Sequence, residues 1–351
     1  MRSILTTLFL VFLAVATFSG NWNAITVSSP APARVQLVSS SVEKSTVRFT
    51  LPGFTLNAVQ TPAGPAFTVS VGKATPILEA GAPDLPKLTA SLVVPDQAGM
   101  EVRVVSALYK DYPGISIAPS KGNISRETDP STVAYTYGPA YSASQAWPGS
   151  LTGTREPYII RDVRGQTILA NPFQYNPVTH NLRVYYDLTV ELYQASATGA
   201  NPLARSGAEK RIPRDFIPVL KHQFLNLDAT SYAPLEEFGN LLVICYGPFM
   251  ADMQPYVNWK NAEGYHTEII NKDSVGTTAA QIRSFIADYY NTKGLTHVLL
   301  VGDGPQVPTN TGGGLGGPSD NAYGYIVGSD HYPDVFVGRF CFTLVGALFG
   351  F

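Results

Sequence analysis

The sequence predicts two regions of different fold class, a β-sandwich-like region followed by an α/β region with a parallel sheet. Up to residue 194, short segments with alternating apolar and polar residues are interrupted by proline and glycine, and no stretch of ten residues has helical periodicity. From Asn240 onward, apolar runs of strand length alternate with amphipathic segments, which is typical of a parallel sheet covered by helices. A length of 351 residues agrees with this division into two.

Composition excludes several classes of protein. The formal net charge is −2 and charged residues make up only 14% of the chain, so no basic surface for nucleic acid is expected. Two cysteines cannot form a disulfide framework, and no Cys/His cluster has the spacing of a zinc site. The 19 tyrosines, 27 prolines and 31 glycines instead favour an extracellular protein rich in strands.

Residues 1–20 have the pattern of a signal peptide. Arg2 precedes an apolar run from Ile4 to Ala16, and Ala14-Val15-Ala16 fits the small-residue pattern of a cleavage site. The run is shorter than the roughly 20 residues that a membrane-spanning helix requires, and no later stretch reaches that length. We therefore expect export and no membrane span after signal cleavage, with an uncleaved anchor as the alternative.

The region before residue 195 is predicted to contain only strands. Residues 21–34 are rich in serine and proline and are expected to form a loose leader. The clearest strand runs from Leu182 to Leu192, with β-branched and aromatic residues at every second position. A polar linker, residues 195–209, and a short helix within residues 213–227 should follow.

Strands and helices alternate in the second region, which implies a parallel, doubly wound sheet. Each helix is predicted from apolar residues at helical spacing and each strand from a continuous apolar run. The predicted elements are, in order, strand 241–245, helix 248–263, strand 266–270, helix 277–290 and strand 297–301.

Three aspartates near the end of the chain form a candidate metal site. Asp303 follows the last of these strands, at the carboxyl end where functional groups collect in open α/β sheets. Asp330 and Asp334 lie beyond a glycine-rich loop, in a segment where proline and glycine prevent a regular helix. Carboxylates near loop carbonyls are the oxygen ligands that calcium takes. The alternative is a set of turn-capping aspartates without metal.

The other candidate motifs favour structural roles. The glycine-rich loop, residues 304–318, lacks the Lys-Ser/Thr of a phosphate-binding loop and is expected to be flexible. Cys245 and Cys341 lie at strand ends and are expected to be structural rather than reactive. His180 and His222 have no metal-ligating partner at helical spacing, so surface or turn positions are expected.

Several longer stretches carry a family resemblance. They are Gly81 to Thr89, Asn171 to Pro177, Tyr232 to Glu237, Leu241 to Ile244, Tyr256 to Ile269, His297 to Asp303 and Ser319 to Phe340. The last five resemble the gingipain family of secreted bacterial cysteine endopeptidases, and the first two resemble the propeptide of that family. The resemblance extends over about residues 40 to 340.

The resemblance implies a zymogen exported to the outside or the cell surface of a bacterium. Residues 1–20 would be its signal peptide, 21–34 a leader, 35–231 a β-rich propeptide, and 232–340 the first subdomain of a caspase-like catalytic domain. Its partners would be protein or peptide substrates of the full-length enzyme, and the propeptide would contact the catalytic domain within the chain. It also implies a structural calcium ion held by Asp303, Asp330, Asp334 and the carbonyls of Tyr332 and Val327.

Two departures from the family limit what this chain is expected to do. The family's catalytic histidine and cysteine lie C-terminal to the segment that ends at Phe340, so neither Cys245 nor Cys341 is assigned the nucleophile's role. Residues 341–351 form an uncharged, apolar tail unlike the family, as a frameshift or truncation would produce. Ser231, before Tyr232, replaces the arginine at which relatives cleave themselves, so self-cleavage there is not expected.

The expected function is therefore the N-terminal part of a gingipain-like cysteine endopeptidase precursor, with a C-terminally truncated α/β subdomain and no catalysis by this chain alone. Truncation should leave an uncovered edge on the parallel sheet. Two alternatives remain open. One is a secreted propeptide-like inhibitor, and the other is a calcium-stabilised binding protein without catalysis.

Overall fold

Antiparallel strands build the first region (residues 20–205). The computed structural model describes residues 20–205, 210–311 and 317–341. Nearly all of the predicted signal peptide and of the predicted apolar tail lies outside these ranges. The strands are β1 (Asn21–Ala24), β2 (Arg34–Ser40), β3 (Lys44–Thr50), β4 (Gly53–Thr61), β5 (Gly64–Ser70), β6 (Thr75–Pro76), β7 (Pro86–Val93), β8 (Gly99–Pro113), β9 (Thr152–Thr154), β10 (Tyr158–Ile160), β11 (Val163–Ala170), β12 (Phe173–Asn176) and β13 (Asn181–Ser196).

Three sheets share the core of this region. Their strand orders are β1-β4-β5, β10-β11-β7-β6 with β9 also on β11, and β12-β13-β3-β2 with β8 also on β13. Side chains from all three sheets, such as Phe54, Leu92 and Leu188, meet in one buried apolar cluster. The prediction of a sheet-rich region is confirmed, although it has three sheets rather than the two of a simple sandwich.

Two predicted irregular segments are partly ordered by contacts with the sheets. The expected loose leader contains β1, because the edge of β4 offers backbone partners and the Trp22 ring lies directly against Gly53. The expected polar linker is fixed by Leu203, which is buried, and by Arg205, which pairs with the Asp96 carboxylate at 2.6 Å.

The connecting segment (residues 210–231) crosses from the first region to the second. It consists of β14 (Arg211–Ile212), a 3₁₀ turn, α1 (Ile217–Gln223) and a second 3₁₀ turn, and β14 pairs in parallel with β15 (Ala233–Pro234). Phe216, Leu220 and Phe224 pack against Tyr158 and Ile160 of β10. The apolar side chains of this segment therefore pack between the two regions.

The second region (residues 232–341) is an α/β unit. Its elements after β15 are β16 (Asn240–Cys245), α2 (Met250–Glu263), β17 (His266–Asn271), α3 (Lys272–Val275), α4 (Ala279–Lys293), β18 (Leu295–Val301), β19 (Asn310–Thr311), β20 (Pro318–Ser319) and β21 (Phe336–Phe340). The main sheet has the order β17-β16-β18-β21, and all of its pairs are parallel. The five predicted elements are present, with ends that differ by at most three residues.

Burial on both faces explains the apolar run in β16. Leu242 and Ile244 pack on the side of α4, whereas Leu241, Val243 and Cys245 pack on the side of α2. Local signals set the helix ends, because Thr278 and Gln281 form a capping box before α4, and Gly264 ends α2 with φ 109°.

Within the described residues, β21 has β18 as its neighbour and stands at the edge of the main sheet. No helix in the described ranges is long and apolar enough to cross a membrane.

A buried arginine ties the first region's loops to β11. Arg164 is fully buried, and its guanidinium donates to the carbonyls of Pro95, Ala98, Ala200 and Asn201 at 2.6–2.9 Å. Burial lowers the pKa of Arg164. Since all of its partners are backbone carbonyls, this side chain fixes the path of the chain that leads to Asn201.

We expect Arg164→Met to lower the free energy of unfolding by about 3 kcal/mol or more, because four buried carbonyls lose a partner and each loss costs roughly 1 kcal/mol. Urea unfolding followed by circular dichroism measures the change. Arg48→Met is the matched control, since Arg48 pairs with Asp187 at a largely exposed position and should shift the midpoint far less. Equal shifts for the two variants would contradict the assignment.

Candidate functional site

The predicted metal ligands separate into two places in the structure. Asp303 follows Val301 at the carboxyl end of β18, whereas the acidic loop (residues 326–334) directly precedes β21 at the opposite end. Phe336 pairs with His297 and Phe340 pairs with Val301, so this ladder alone separates the ends by about 13 Å at 3.3 Å per residue. Asp330, Asp334, Tyr332 and Val327 are brought together in the acidic loop, and Asp303 is not among them.

Asp303 instead belongs to a local turn. Its carbonyl accepts hydrogen bonds from the backbone N–H groups of Gln306 and Val307, and its own N–H donates to the Gln306 side chain at 2.8 Å. These are the contacts of a turn-forming residue. Most of the glycine-rich loop that follows lies outside the described residues.

Asp334 is the most buried carboxylate of the acidic loop, with no exposed surface. Its Oδ2 atom accepts hydrogen bonds from the N–H groups of Ile326 and Val327 at 2.8 and 2.7 Å, and its Oδ1 atom accepts one from the N–H of Arg161 at 2.8 Å. Burial raises the pKa of Asp334 to about 6, against the opposing effect of these three hydrogen bonds. The carboxylate therefore connects its own loop to the first region.

Asp330 makes a second connection of the same kind. Its Oδ2 atom accepts from the N–H of Ile159 and from Nδ2 of Asn201, both at 2.7 Å, and its Oδ1 atom accepts from the N–H of Tyr332. Asn201 in turn accepts a hydrogen bond from the N–H of Ser329 at 3.0 Å. Two residues of the first region are thus held by one carboxylate.

Arg161 enters the second region from the turn that follows β10. It is 6% exposed, and its Nη1 atom donates to the carbonyls of Leu295 at 2.6 Å and Asp334 at 3.1 Å. The guanidinium carbon lies 5.2 Å from the ring centroid of Phe216 and 5.1 Å from that of Tyr290. Such distances fit cation–π contacts.

Two aromatic ring pairs, one stacked and one tilted, complete the contact. The rings of Tyr158 and Tyr332 lie 4.1 Å apart with an interplanar angle of 19°, and those of Phe216 and Phe336 lie 4.4 Å apart. Gly328 allows the close approach, since a Cβ atom there would lie 2.7 Å from Oδ1 of Asn201. The acidic loop therefore forms an interface with the first region.

The predicted calcium ligands do not fit a single ion in this arrangement. Asp303 is at the wrong end of the sheet, and one oxygen each of Asp330 and Asp334 already accepts two hydrogen bonds. No group of three or more His, Cys, Asp or Glu side chains in the described part of the chain could hold a metal ion. Calcium remains a prediction from the family resemblance.

Neither cysteine is placed as an activated nucleophile in the described structure. Cys245 is fully buried at the carboxyl end of β16, where burial raises the pKa of its thiol to about 11. His297 stands at the start of β18, at the opposite end of the sheet, and burial lowers its pKa. Cys341 is exposed just after β21.

The two histidines that were expected at turn or surface positions, His180 and His222, occupy a turn and a surface. His180 has a φ of 50° in the turn before β13, and its Nδ1 atom lies 3.2 Å from the Tyr175 hydroxyl. His222 is exposed on α1. Neither lies in the interface with the acidic loop.

Sequence reasoning missed the first region's half of this interface. Ile159 and Arg161 contribute backbone N–H groups, which carry no sequence signature, and Asn201 lay in a segment expected to be a linker. One available signal was the turn Arg161-Asp162 between two apolar strands, because such two-residue turns usually contain glycine or asparagine.

Comparison with protein families gives two consecutive matches. The family described as Propeptide_C25 matches residues 26–229, and the family described as Peptidase family C25 matches residues 235–347. The boundary between the matches falls at the junction of the connecting segment and the second region.

Individual relatives agree with these matches. Gingipain R1 of Porphyromonas gingivalis is 38% identical over 313 residues, which are 87% of this chain and 31% of that protein. Gingipain R2 of strain ATCC BAA-308 / W83 is 36% identical over 338 residues, 93% of this chain and 45% of that protein. The chain thus spans less than half the length of these curated relatives.

A solved structure also matches. It is described as "Complex of Porphyromonas gingivalis RgpB pro- and mature domains", with a TM-score of 0.53 and 35% sequence identity. The match covers 57% of this chain and 100% of the matched chain. The similarity in structure therefore extends over more than half of the chain.

We expect the Cys245 thiol to resist alkylation in the folded chain at pH 8, since both burial and a pKa of about 11 suppress the thiolate. The exposed Cys341 provides an internal control. Mass spectrometry after a timed exposure to iodoacetamide should show Cys245 reacting at least roughly 100-fold more slowly than Cys341. In urea the two rates should converge, and rapid labelling of Cys245 without urea would contradict its burial.

We expect Gly328→Ala to destabilise the chain by at least about 1 kcal/mol more than Gly294→Ala. Both glycines have positive φ, 77° and 72°, so both variants carry a similar backbone cost of about 1 kcal/mol. Only at position 328 would the added methyl group meet the first region, because nothing lies within 4 Å at position 294. Urea unfolding compares the two, and equal losses would contradict a tight contact at Gly328.

Proposed function

This chain belongs to the gingipain family of C25 peptidases, and from that premise we propose that it is the N-terminal part of a secreted cysteine endopeptidase precursor. The consecutive propeptide and peptidase matches support this reading. In this proposal the first region acts as the propeptide, and the second region is the first subdomain of a caspase-like peptidase domain.

The interface at the acidic loop is the observation that carries the proposal. A propeptide that keeps an enzyme latent must stay bound to it, and here the half-buried Asp330 and the buried Asp334 both accept hydrogen bonds from the first region. Removing a donor from the buried Asp334 carboxylate would be costly. The first region therefore stabilises the docked arrangement as an integral part of the fold.

The proposed reaction of the full-length enzyme is peptide-bond hydrolysis by a cysteine/histidine dyad. A cysteine thiolate would attack the substrate carbonyl carbon to give an acyl-enzyme, which water then hydrolyses. A backbone N–H would stabilise the oxyanion. The family resemblance implies that this dyad lies C-terminal to Phe340, and the buried Cys245 is unsuited to the nucleophile's role.

The proposal also includes secretion and a structural calcium ion, and each has its own ground. Export rests on the signal-peptide pattern of residues 1–20. Calcium rests on the family resemblance alone, and the proposed function does not depend on it, because the acidic loop is satisfied by N–H donors in this structure.

An inhibitor is the second candidate function. The first region has its own buried core, which is built from three sheets and is independent of the second region's clusters. Such a unit could bind a related peptidase in trans. An inhibitor would lower the activity of a separate peptidase, whereas a precursor fragment would not.

We expect the purified chain to show no cleavage of arginyl or lysyl peptides that a thiol reagent can block. The physical reason is that the one cysteine within the second region's sheet is buried and protonated at neutral pH. Hydrolysis of a fluorogenic peptide, with and without iodoacetamide, provides the measurement. Thiol-sensitive turnover would contradict the assignment of the dyad to a later segment.

The same assay separates the two candidate functions. Adding the chain to an active arginine-specific relative should leave its rate unchanged if the chain's interface is already occupied by its own second region. Inhibition at stoichiometric concentration would instead support the inhibitor reading.

A further inference from the structure

Arg161 has a backbone conformation that its own turn does not favour. It is the first of two residues between Ile160 and Val163, which pair at the end of β10 and β11. Its φ of 54° lies in the left-handed region. Glycine or asparagine is preferred at such a position, and an arginine there costs conformational free energy. Within the hairpin, the Arg161 guanidinium pairs with the carboxylate of the next turn residue, Asp162, at 3.2 Å, and its hydrogen bonds to carbonyls all lie outside the hairpin.

The contacts of Arg161 with the second region account for this cost. Its N–H donates to Asp334, and its guanidinium donates to the carbonyls of Leu295 and Asp334. The ring of Tyr290 lies against the guanidinium. A glycine at this position would keep the turn and the N–H but would lose every side-chain contact.

Residues next to Arg161 on β10 also contact the acidic loop. Ile159 and Arg161 are two residues apart, so their N–H groups point to the same side of the strand. Because β10 is at the edge of its sheet, these groups face Asp330 and Asp334 instead of another strand. Tyr158 adds the stacking contact with Tyr332.

We infer that the segment Tyr158–Arg161 is a docking segment and that Arg161 is the residue by which the first region recognises its peptidase partner. The partner must offer two carboxylates that accept the N–H groups of alternate residues. It must also offer a free carbonyl at the start of a parallel strand to receive the guanidinium. This inference rests on the proposed function, since it names which C25 peptidase subdomains the propeptide accepts.

Arg161→Gly tests the inference in the full chain, because it removes both the backbone strain and the guanidinium. Hydrogen exchange followed by mass spectrometry should show amides of the acidic loop exchanging at least about tenfold faster, equivalent to about 1.4 kcal/mol. Peptides from β3 and β13, in the core of the first region, should keep their protection. Arg161→Lys retains a charge without the planar fork of the guanidinium. Its exchange rate in the acidic loop should lie between those of the unsubstituted chain and of Arg161→Gly.

A second pair of variants tests the backbone contact without touching Arg161. Ile159→Pro removes the N–H that Asp330 accepts, whereas the control Ile159→Ala keeps it. The proline variant should accelerate exchange in the acidic loop, and the alanine variant should do so much less.

Unchanged exchange of the acidic loop in Arg161→Gly would overturn the inference. Equal loss of protection in the loop and in β3 and β13 would do so as well, because Arg161 would then serve only the first region's fold. Neither result depends on peptidase activity, so the precursor proposal stands or falls separately on the activity and inhibition assays.

Discussion

The structure depends on one constraint, which is that the buried carboxylate of Asp334 and the half-buried carboxylate of Asp330 must find hydrogen-bond donors. Asp330 and Asp334 together accept six N–H donors, three from their own loop and three from the first region. A buried carboxylate without donors is far costlier than a surface one. The second region's loop therefore reaches a satisfied state only with the first region in place, which links the two regions energetically.

The direction of the parallel strands decides where this loop lies. The chain leaves β18 at its carboxyl end and must return to the amino end before it can enter β21 as a parallel neighbour. The acidic loop is the last part of that return, so it emerges beside the start of β18 and meets β10. Asp303 stays behind at the other end, which explains why residues that seemed to form one set serve different purposes.

Much of the fold was predictable, because its signals are local. The apolar run of β16 and the capping residues of α4 identify their elements without reference to the rest of the chain. The importance of Asp330 and Asp334 was also visible, but their partners were not. Ile159 and Arg161 lie 171 and 173 residues away along the chain and act through backbone N–H groups. The short β1 and α3 were missed because a few residues carry too little pattern.

The two kinds of contact at this interface have different consequences for specificity. A backbone N–H is present at position 159 with any residue except proline, so that contact gives affinity with little selection of sequence. The Arg161 guanidinium and its left-handed backbone do depend on the residue, and they require a carbonyl and an aromatic ring at fixed positions in the partner. A propeptide built in this way tolerates divergence along its docking strand while one strained arginine maintains the match between the two parts of the precursor.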